Sequence, residues 1–184
     1  MSKRGVTPTP ALEQLTTAER AQLLGEMLLG HPELVNQAEN GARALLAVAD
    51  ADEVAESIEW TLRGADTDQL AFRAGRVYGR GYVHENEAAS EILGELLHPD
   101  LDDLARRAAL GLHDVASQIG LGLLLGLARC RTAVEDGTVL AYAGPDVTDD
   151  LAWSVFDALT KAEVSLPDDA PDRLPSDWGR SLGP

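Results

Sequence analysis

The sequence predicts an all-α fold, and three observations lead to this prediction. Helix-forming residues dominate the 184-residue chain, and no stretch sustains the alternation of β-branched and polar residues that is typical of a strand. Aromatic residues make up only 4% of the chain, so the core has to be built from Leu, Ala and Val. Capping residues recur just before apolar stretches of helical period. We therefore expect helical hairpins around an aliphatic interior.

The first predicted helices have recognisable end signals. Thr16 and Glu19 have the spacing of a capping box, in which each side chain accepts a hydrogen bond from a free amide of the first turn. Gly30 is expected to end this helix, and Pro32 is expected to lie in the first turn of the next helix.

The middle of the chain predicts three further helices. Asp50 is expected to cap one that stops at Gly64, and Asp66 a short one after it. Asn86 is expected to cap a helix that ends at the dipeptide His98-Pro99, because proline disfavours a helical conformation of the preceding residue.

A long helix is predicted next, from about Leu101 to Arg131. Its apolar stretch 119–128 is too short to span a bilayer, and we interpret it as part of a buried helix. The glycines of this stretch are expected to let a neighbouring helix approach closely. Turn signals at Gly137 and Gly144 then predict an irregular connection, after which Thr148 is expected to cap the last helix.

The predicted helix starts recur with a period. Blocks of 34 residues that begin at Thr16, Asp50 and His84 align in their acidic, Ala and aliphatic positions. Such a period is typical of helical repeat arrays. Because the second halves of the blocks align only with insertions, the repeat is degenerate. The prediction is therefore either a short α-solenoid-like stack or a helical bundle.

Three parts are predicted along the chain. Residues 1–10 are expected to form a flexible tail, residues 11–165 a single all-helical domain, and residues 166–184 a flexible acidic tail rich in proline. Trp178 is the exception in the second tail, because it can dock on the domain as an anchor.

The charge of the chain excludes several function classes. Its formal net charge is −16, and nucleic acids and anionic membranes are negative too, so we expect direct binding to neither. A protein partner with a basic surface fits better. The single cysteine, Cys130, excludes an internal disulfide and favours a cytoplasmic location.

The motifs for catalysis and metal binding are weak. Glu91, Glu95 and His98 fall on one helical face and include half of a carboxylate-bridged di-iron motif, but no second half is present, so a solvated face is the preferred interpretation. Arg129 and Arg131 flank Cys130 and can activate a thiol, but a small buried residue is the preferred role. We expect no cofactor, no metal and no catalytic residue, although an enzyme stays open.

One segment concentrates positive charge. No acidic residue occurs from position 69 to position 84, where arginines, tyrosines and glycines alternate before a predicted helix start. Arginine forks and close backbone approach suit an anion, an acidic peptide or a stacked base. The alternative is that the arginines pair with carboxylates of neighbouring helices. The candidate binding residues are Arg73, Arg76, Tyr78, Arg80 and Tyr82. We expect the segment to be a bend outside the helical core.

Three segments together resemble a known helical region: LLGEMLLGHPEL (23–34), RAGRVYGRGYVHENEAASEIL (73–93) and LGLLLGLARCR (121–131). That region occurs in uncharacterised bacterial proteins, some of which also contain a SWIM-type zinc finger. The similarity covers roughly residues 12–132. The finger itself needs several cysteines, so its metal binding and nucleic-acid binding do not carry over to a chain with one cysteine. The resemblance implies an all-helical accessory domain.

Taken together, these observations predict a non-enzymatic protein-interaction module, a scaffold or adaptor, that suits a basic partner. Two alternatives stay open. One is a sensor or enzyme that binds a small ligand or anion at residues 73–84. The other is an acidic mimic that occupies a nucleic-acid-binding protein, and it rests on net charge alone.

Overall fold

The all-α prediction is confirmed. A computed structural model describes residues 10–77, 79, 81–132 and 134–179, and these form eleven α-helices, one 3-10 helix and a single two-stranded sheet. The chain divides into two compact units, residues 1–46 and 47–184, where the sequence predicts one domain over residues 11–165. The tail predicted for residues 1–10 lies almost entirely outside the described residues.

The first unit is a small helical hairpin. It contains α1 (Pro10–Gln14), α2 (Thr17–Gly30), a 3-10 helix (Pro32–Leu34) and α3 (Val35–Leu46). The predicted capping box is present, because Thr16 Oγ1 accepts a hydrogen bond from the Glu19 amide, and the Glu19 carboxylate accepts one from the Thr16 amide. None of the residues described from 11 to 46 is buried.

The second unit contains the core. Its helices and strands are α4 (Ala51–Arg63), α5 (Thr67–Arg73), β1 (Gly75–Val77), β2 (Gly81–Val83), α6 (Glu85–Ala109), α7 (His113–Cys130), α8 (Val139–Ala143), α9 (Val147–Lys161), α10 (Ala170–Arg173) and α11 (Ser176–Gly179). Helix α7 is central, with α4, α6 and α9 packed around it. All its residues from Ile119 to Leu127 are buried, which confirms the interpretation of this stretch as a buried helix.

Helices α4 and α7 come together along two glycines. A Cβ atom added at Gly126 would lie 1.8 Å from Ile58 Cγ2 and 2.8 Å from the carbonyl oxygen of Ala55. At Gly122 it would lie 2.7 Å from the carbonyl oxygen of Ala51. No side chain fits at either position, so these glycines allow the close helix approach that the sequence predicts.

The predicted boundary between the two longest helices is wrong. Helix α6 begins after His84 rather than after Asn86, passes through Pro99 and ends at Ala109. The break lies at Gly111, whose φ is 77° and whose amide donates to the carbonyl of Ala108. Leu97 and Leu104, on either side of Pro99, are fully buried. Their burial offsets the hydrogen bond that proline removes.

The C-terminal third is more ordered than the sequence predicts. The connection expected to be irregular contains α8, capped by Thr138. Helix α9 begins at Val147 after Asp146, so Thr148 lies inside the helix and does not cap it. Part of the expected flexible tail forms α10 and α11, and Trp178 is only 6% exposed. This burial explains the difference, since a docked tryptophan removes a large apolar area from water.

The predicted period is visible only in the helix starts. Thr16, Asp50 and His84 are the N-caps of α2, α4 and α6. Helix α2 is followed by a 3-10 helix and α3, α4 by the short α5 and the two strands, and α6 by α7. Because these following elements differ, a 34-residue repeat stays a prediction. No helix among the described residues has the length and apolar character needed to cross a membrane.

A glycine exchange tests the α4–α7 contact. We expect Gly126→Ala to lower the free energy of unfolding by about 1–3 kcal/mol, because the added methyl group meets backbone as well as side-chain atoms. The matched control is Gly94→Ala in α6, where an added Cβ has nothing within 4 Å. This control should raise the stability by about 0.5–1 kcal/mol through helix propensity.

Urea unfolding of the two variants measures both effects. Equal changes in stability for Gly126→Ala and Gly94→Ala would contradict the close approach of the two helices.

Candidate functional site

The segment predicted to bind an anion forms a β-hairpin. Strands β1 and β2 pair antiparallel, with Arg76 opposite Tyr82. The expectation of a simple bend is therefore wrong for this segment, although it does lie outside the helices. Gly75 and Gly81 have φ values of 96° and 85°, which favour glycine. Tyr78 and Arg80 lie outside the described residues.

Arg73 forms an ion pair with helix α6. Its Nη1 atom lies 2.7 Å from Glu95 Oε1 on α6. The hydrogen bond that Arg73 donates to Glu95 raises the pKa of Arg73, and the same bond lowers the pKa of the Glu95 carboxyl. Arg73 therefore pairs with a carboxylate of a neighbouring helix, as the alternative interpretation holds. Glu95 is also one of the three residues of the weak metal motif.

Arg76 and Tyr82 are the remaining described members of the predicted site. As directly opposed residues of an antiparallel pair, they project from the same face of the hairpin. Arg76 is exposed and forms no ion pair with a described residue. Tyr82 is 68% exposed and makes an edge contact with His84 at 5.1 Å between ring centroids. Arg73 is thus paired with α6, whereas Arg76 and Tyr82 are exposed on the hairpin, and the anion-binding hypothesis stays a prediction.

Cys130 is not an activated nucleophile. The residue is fully buried at the end of α7, and burial raises the pKa of its thiol to about 11. The thiol is therefore protonated near neutral pH, and the interpretation of Cys130 as a small buried residue is confirmed. Within the described part of the chain, no group of three or more His, Cys, Asp or Glu residues is arranged to hold a metal ion.

A second region has features that sequence reasoning missed, and we call it the aromatic-acidic groove. Trp153 and Phe156 on α9 meet edge to face, with 6.1 Å between their ring centroids. They form one wall of a cleft of about 620 Å³ that runs along α9 to the segment before α10. Asp157 and Asp168 supply carboxylates to the same cleft. Trp153 is 61% exposed, which is unusual for a tryptophan in a folded domain.

The other side of this aromatic pair opens to a smaller cleft of about 200 Å³. Asp149, Asp177 and the buried Trp178 line it together with Trp153 and Phe156. The two aromatic rings therefore have carboxylates on both sides.

Arg131 contacts two residues that line the smaller cleft, Trp178 and Asp177. Its guanidinium lies 5.1 Å above the Trp178 ring and donates to Asp177 Oδ2 at 2.8 Å. The Trp178 indole donates to Asp149 Oδ1 at 2.7 Å, and Arg131 Nη2 lies 3.5 Å from the same oxygen. These contacts join α7, α9 and α11 in one network of charged and aromatic groups.

A second set of contacts holds α10 and the segment that precedes it. Ser117 Oγ donates to the Ser165 carbonyl at 2.7 Å, and Arg173 Nη2 donates to Asp52 Oδ1 at 2.9 Å. Ala170 and Leu174 are buried. The groove is therefore bounded by elements that pack on the core, not by a free tail.

The charge of this region is strongly negative. Residues 135–179 contain eleven Asp and Glu residues against Lys161 and Arg173, a formal net charge of −9. Lys161 pairs with Asp157 at 2.6 Å, whereas Asp168 is exposed and forms no ion pair with a described residue. More than half of the protein's net charge thus lies in the quarter of the chain that builds the groove. In the sequence, this concentration of acidic residues was the signal that could have indicated the aromatic-acidic groove.

No family model, curated protein or solved structure matches this chain. The resemblance to the helical region that accompanies SWIM-type zinc fingers accordingly stays a prediction. The site has to be interpreted from its own geometry and charge.

Substitution of Arg131 tests the network that holds α11. We expect Arg131→Gln to lower the free energy of unfolding by about 1–2 kcal/mol, because it removes a charge-assisted hydrogen bond to Asp177, an ion pair with Asp149 and the contact with Trp178. The matched control is Arg43→Gln, which removes an exposed pair with Glu39 and should cost less than about 0.5 kcal/mol.

The effect of Arg131→Gln should also depend on pH. The hydrogen bond from Arg131 holds the pKa of Asp177 below its ordinary value of 3.8. A lowered carboxyl pKa contributes stability that is present above the ordinary value and lost as the pH falls through the folded value. Urea unfolding at pH 7 and pH 3 should therefore give a smaller difference between parent and variant at pH 3. A difference that is independent of pH would argue against the ion pair.

Proposed function

We propose that this protein is a non-enzymatic interaction module that binds a basic segment of a partner protein in the aromatic-acidic groove. The observation that carries the proposal is the pair of the exposed Trp153 and the half-buried Phe156, which lies between carboxylates. Large aromatic side chains are enriched where proteins bind each other, because they offer much apolar area at little cost in conformational entropy.

The walls of the groove match the chemistry of arginine and lysine side chains. A guanidinium or ammonium group gains energy over the face of a tryptophan ring, and more where it also meets a carboxylate. Trp153 supplies such a face, and Asp168 supplies a carboxylate without an ion pair among the described residues. The aliphatic stem of the same side chain can cover Leu166 and Pro167, which also line the cleft.

The shape of the groove favours a peptide segment over a small metabolite. A cleft of about 620 Å³ lies in the range of ligand pockets, but it is broad and open along α9. An extended or helical stretch with two or three basic residues fits such a surface. The net charge of −9 over residues 135–179 increases the association rate with a basic partner at low salt.

A comparison of two tryptophans tests the proposed groove. The probe is a synthetic peptide with two arginines and two leucines, titrated by calorimetry at low and moderate salt. We expect Trp153→Ala to weaken binding by about 1 kcal/mol, roughly fivefold in Kd. Trp60→Ala is the matched control, because Trp60 is 78% exposed on α4 and does not line the groove.

The two aspartates provide a second comparison. Asp168→Asn should weaken binding at low salt more than Asp157→Asn, because Lys161 already neutralises Asp157. In the tryptophan comparison, equal losses of peptide affinity for Trp153→Ala and Trp60→Ala would contradict the proposed function. The absence of peptide binding by the parent protein at low salt would also contradict it.

A further inference from the structure

The β-hairpin formed by β1 and β2 is an exposed surface whose charge is opposite to that of the aromatic-acidic groove. The sequence from position 69 to position 84 contains no acidic residue, although the whole chain has a formal net charge of −16. Arg76 and Tyr82 lie directly opposite each other on the two strands, and both are exposed. Gly79 in the turn is exposed as well. The hairpin therefore presents a cationic and an aromatic side chain side by side.

The positive charge of Arg76 is not used within its own chain. Among the described residues, Arg76 is the one arginine whose side chain forms no hydrogen bond and no ion pair. This is unusual in a chain with 31 acidic residues against 15 basic ones, where carboxylate partners are abundant. Arg76 is therefore available for a carboxylate outside its own chain.

The aromatic-acidic groove offers the groups that such a hairpin lacks. Asp168 is an exposed carboxylate that forms no ion pair with a described residue, and Trp153 presents a ring that is 61% exposed. A guanidinium is stabilised by both groups together, because it stacks on an aromatic face and donates to a carboxylate at once. The tyrosine of the hairpin suits the apolar part of the cleft at Leu166 and Pro167.

The geometry of the hairpin allows both side chains to enter one cleft. Opposed residues of an antiparallel pair have Cα atoms about 4.5–5.5 Å apart and project from the same face. The groove is an open cleft of about 620 Å³, which is large enough for two side chains. Neither Arg76 nor Tyr82 lines the groove or the smaller cleft of its own chain. The hairpin that enters the groove therefore belongs to another copy.

We propose that the aromatic-acidic groove binds the β-hairpin of a second copy of this chain, with Arg76 of one copy over Trp153 and beside Asp168 of the other. This inference rests on the proposed function and deepens it, because it names the basic segment that occupies the groove. Each copy has one hairpin and one groove. The contact therefore joins two different surfaces, and it either closes into a ring or continues as a filament.

The salt dependence distinguishes this contact from the binding of a basic peptide. Two copies with a net charge of −16 each repel one another at low salt. At an ionic strength of about 0.15 M the Debye length is about 8 Å, so salt screens the repulsion between whole chains more than it weakens a close pair of charges. Self-association should therefore strengthen between low salt and about 0.15 M, whereas peptide binding should weaken over the same range.

Sedimentation velocity of the full chain at submillimolar concentration tests the contact. We expect the parent protein to associate, and Arg76→Glu and Asp168→Arg each to weaken association about tenfold by reversing one charge of the pair. Both side chains are exposed, so neither change disturbs the core. The matched control is Arg43→Glu, which alters net charge as Arg76→Glu does but lies on α3, and it should associate like the parent.

An equal mixture of the two variants gives the sharpest result. Arg76→Glu keeps an intact groove, and Asp168→Arg keeps an intact hairpin, so one complete contact forms between them. We therefore expect a dimer of one copy of each variant in the mixture, although each variant alone is monomeric. A mixture that is no more associated than the separate variants would overturn the inference.

Other outcomes separate this inference from the proposed function. A parent protein that stays monomeric at low and moderate salt but binds the peptide with two arginines and two leucines would overturn the inference and leave the proposed function standing. A parent that binds neither its own copy nor the peptide would contradict both. Association that persists in both single variants, or that Arg43→Glu weakens as much as Arg76→Glu, would place the contact elsewhere and overturn the inference.

Discussion

The close approach of α4 and α7 is the constraint on which the second unit depends. Gly122 and Gly126 bring the backbone of α7 against the Ala51 and Ala55 carbonyls, where any Cβ would clash. This approach lets a helix whose residues from Ile119 to Leu127 are all apolar or glycine become the centre of a small domain. The surrounding helices then complete its burial, and Leu121, Leu123, Leu124 and Leu127 are fully buried. Dispersion and apolar burial, rather than ion pairs, hold this arrangement.

Because the core is aliphatic, most of the described aromatic side chains lie outside it. Among the described residues, Trp178 is the one aromatic side chain that is buried, and it fixes α11 to α9 through Arg131 and Asp149. The exposed aromatic rings include Trp60, Phe72 and Trp153. Trp153 is the one of these three that lines a cleft with carboxylates. The groove therefore depends on the docking of a segment whose composition suggests disorder.

The sequence by itself determined the helical class, the caps at Thr16, Asp50 and Asp66, and the turns at Gly137 and Gly144. These features are local, because a cap or a turn depends on a few neighbouring residues. It also determined that α7 is buried and that its glycines admit a neighbour, since a long apolar stretch with small residues has few other solutions.

Only the tertiary structure decided the rest. Pro99 stays inside α6 because residues on both sides of it are buried by distant helices. A rule based on neighbouring residues does not include the free energy of this burial. Arg73 pairs with Glu95 across 22 positions, a contact that sequence spacing does not show. Trp178 likewise takes its role from Asp149 and Arg131, which lie far from it along the chain. Local sequence patterns specify helix ends and turns, whereas burial and long-range pairing arise only when the whole chain is packed.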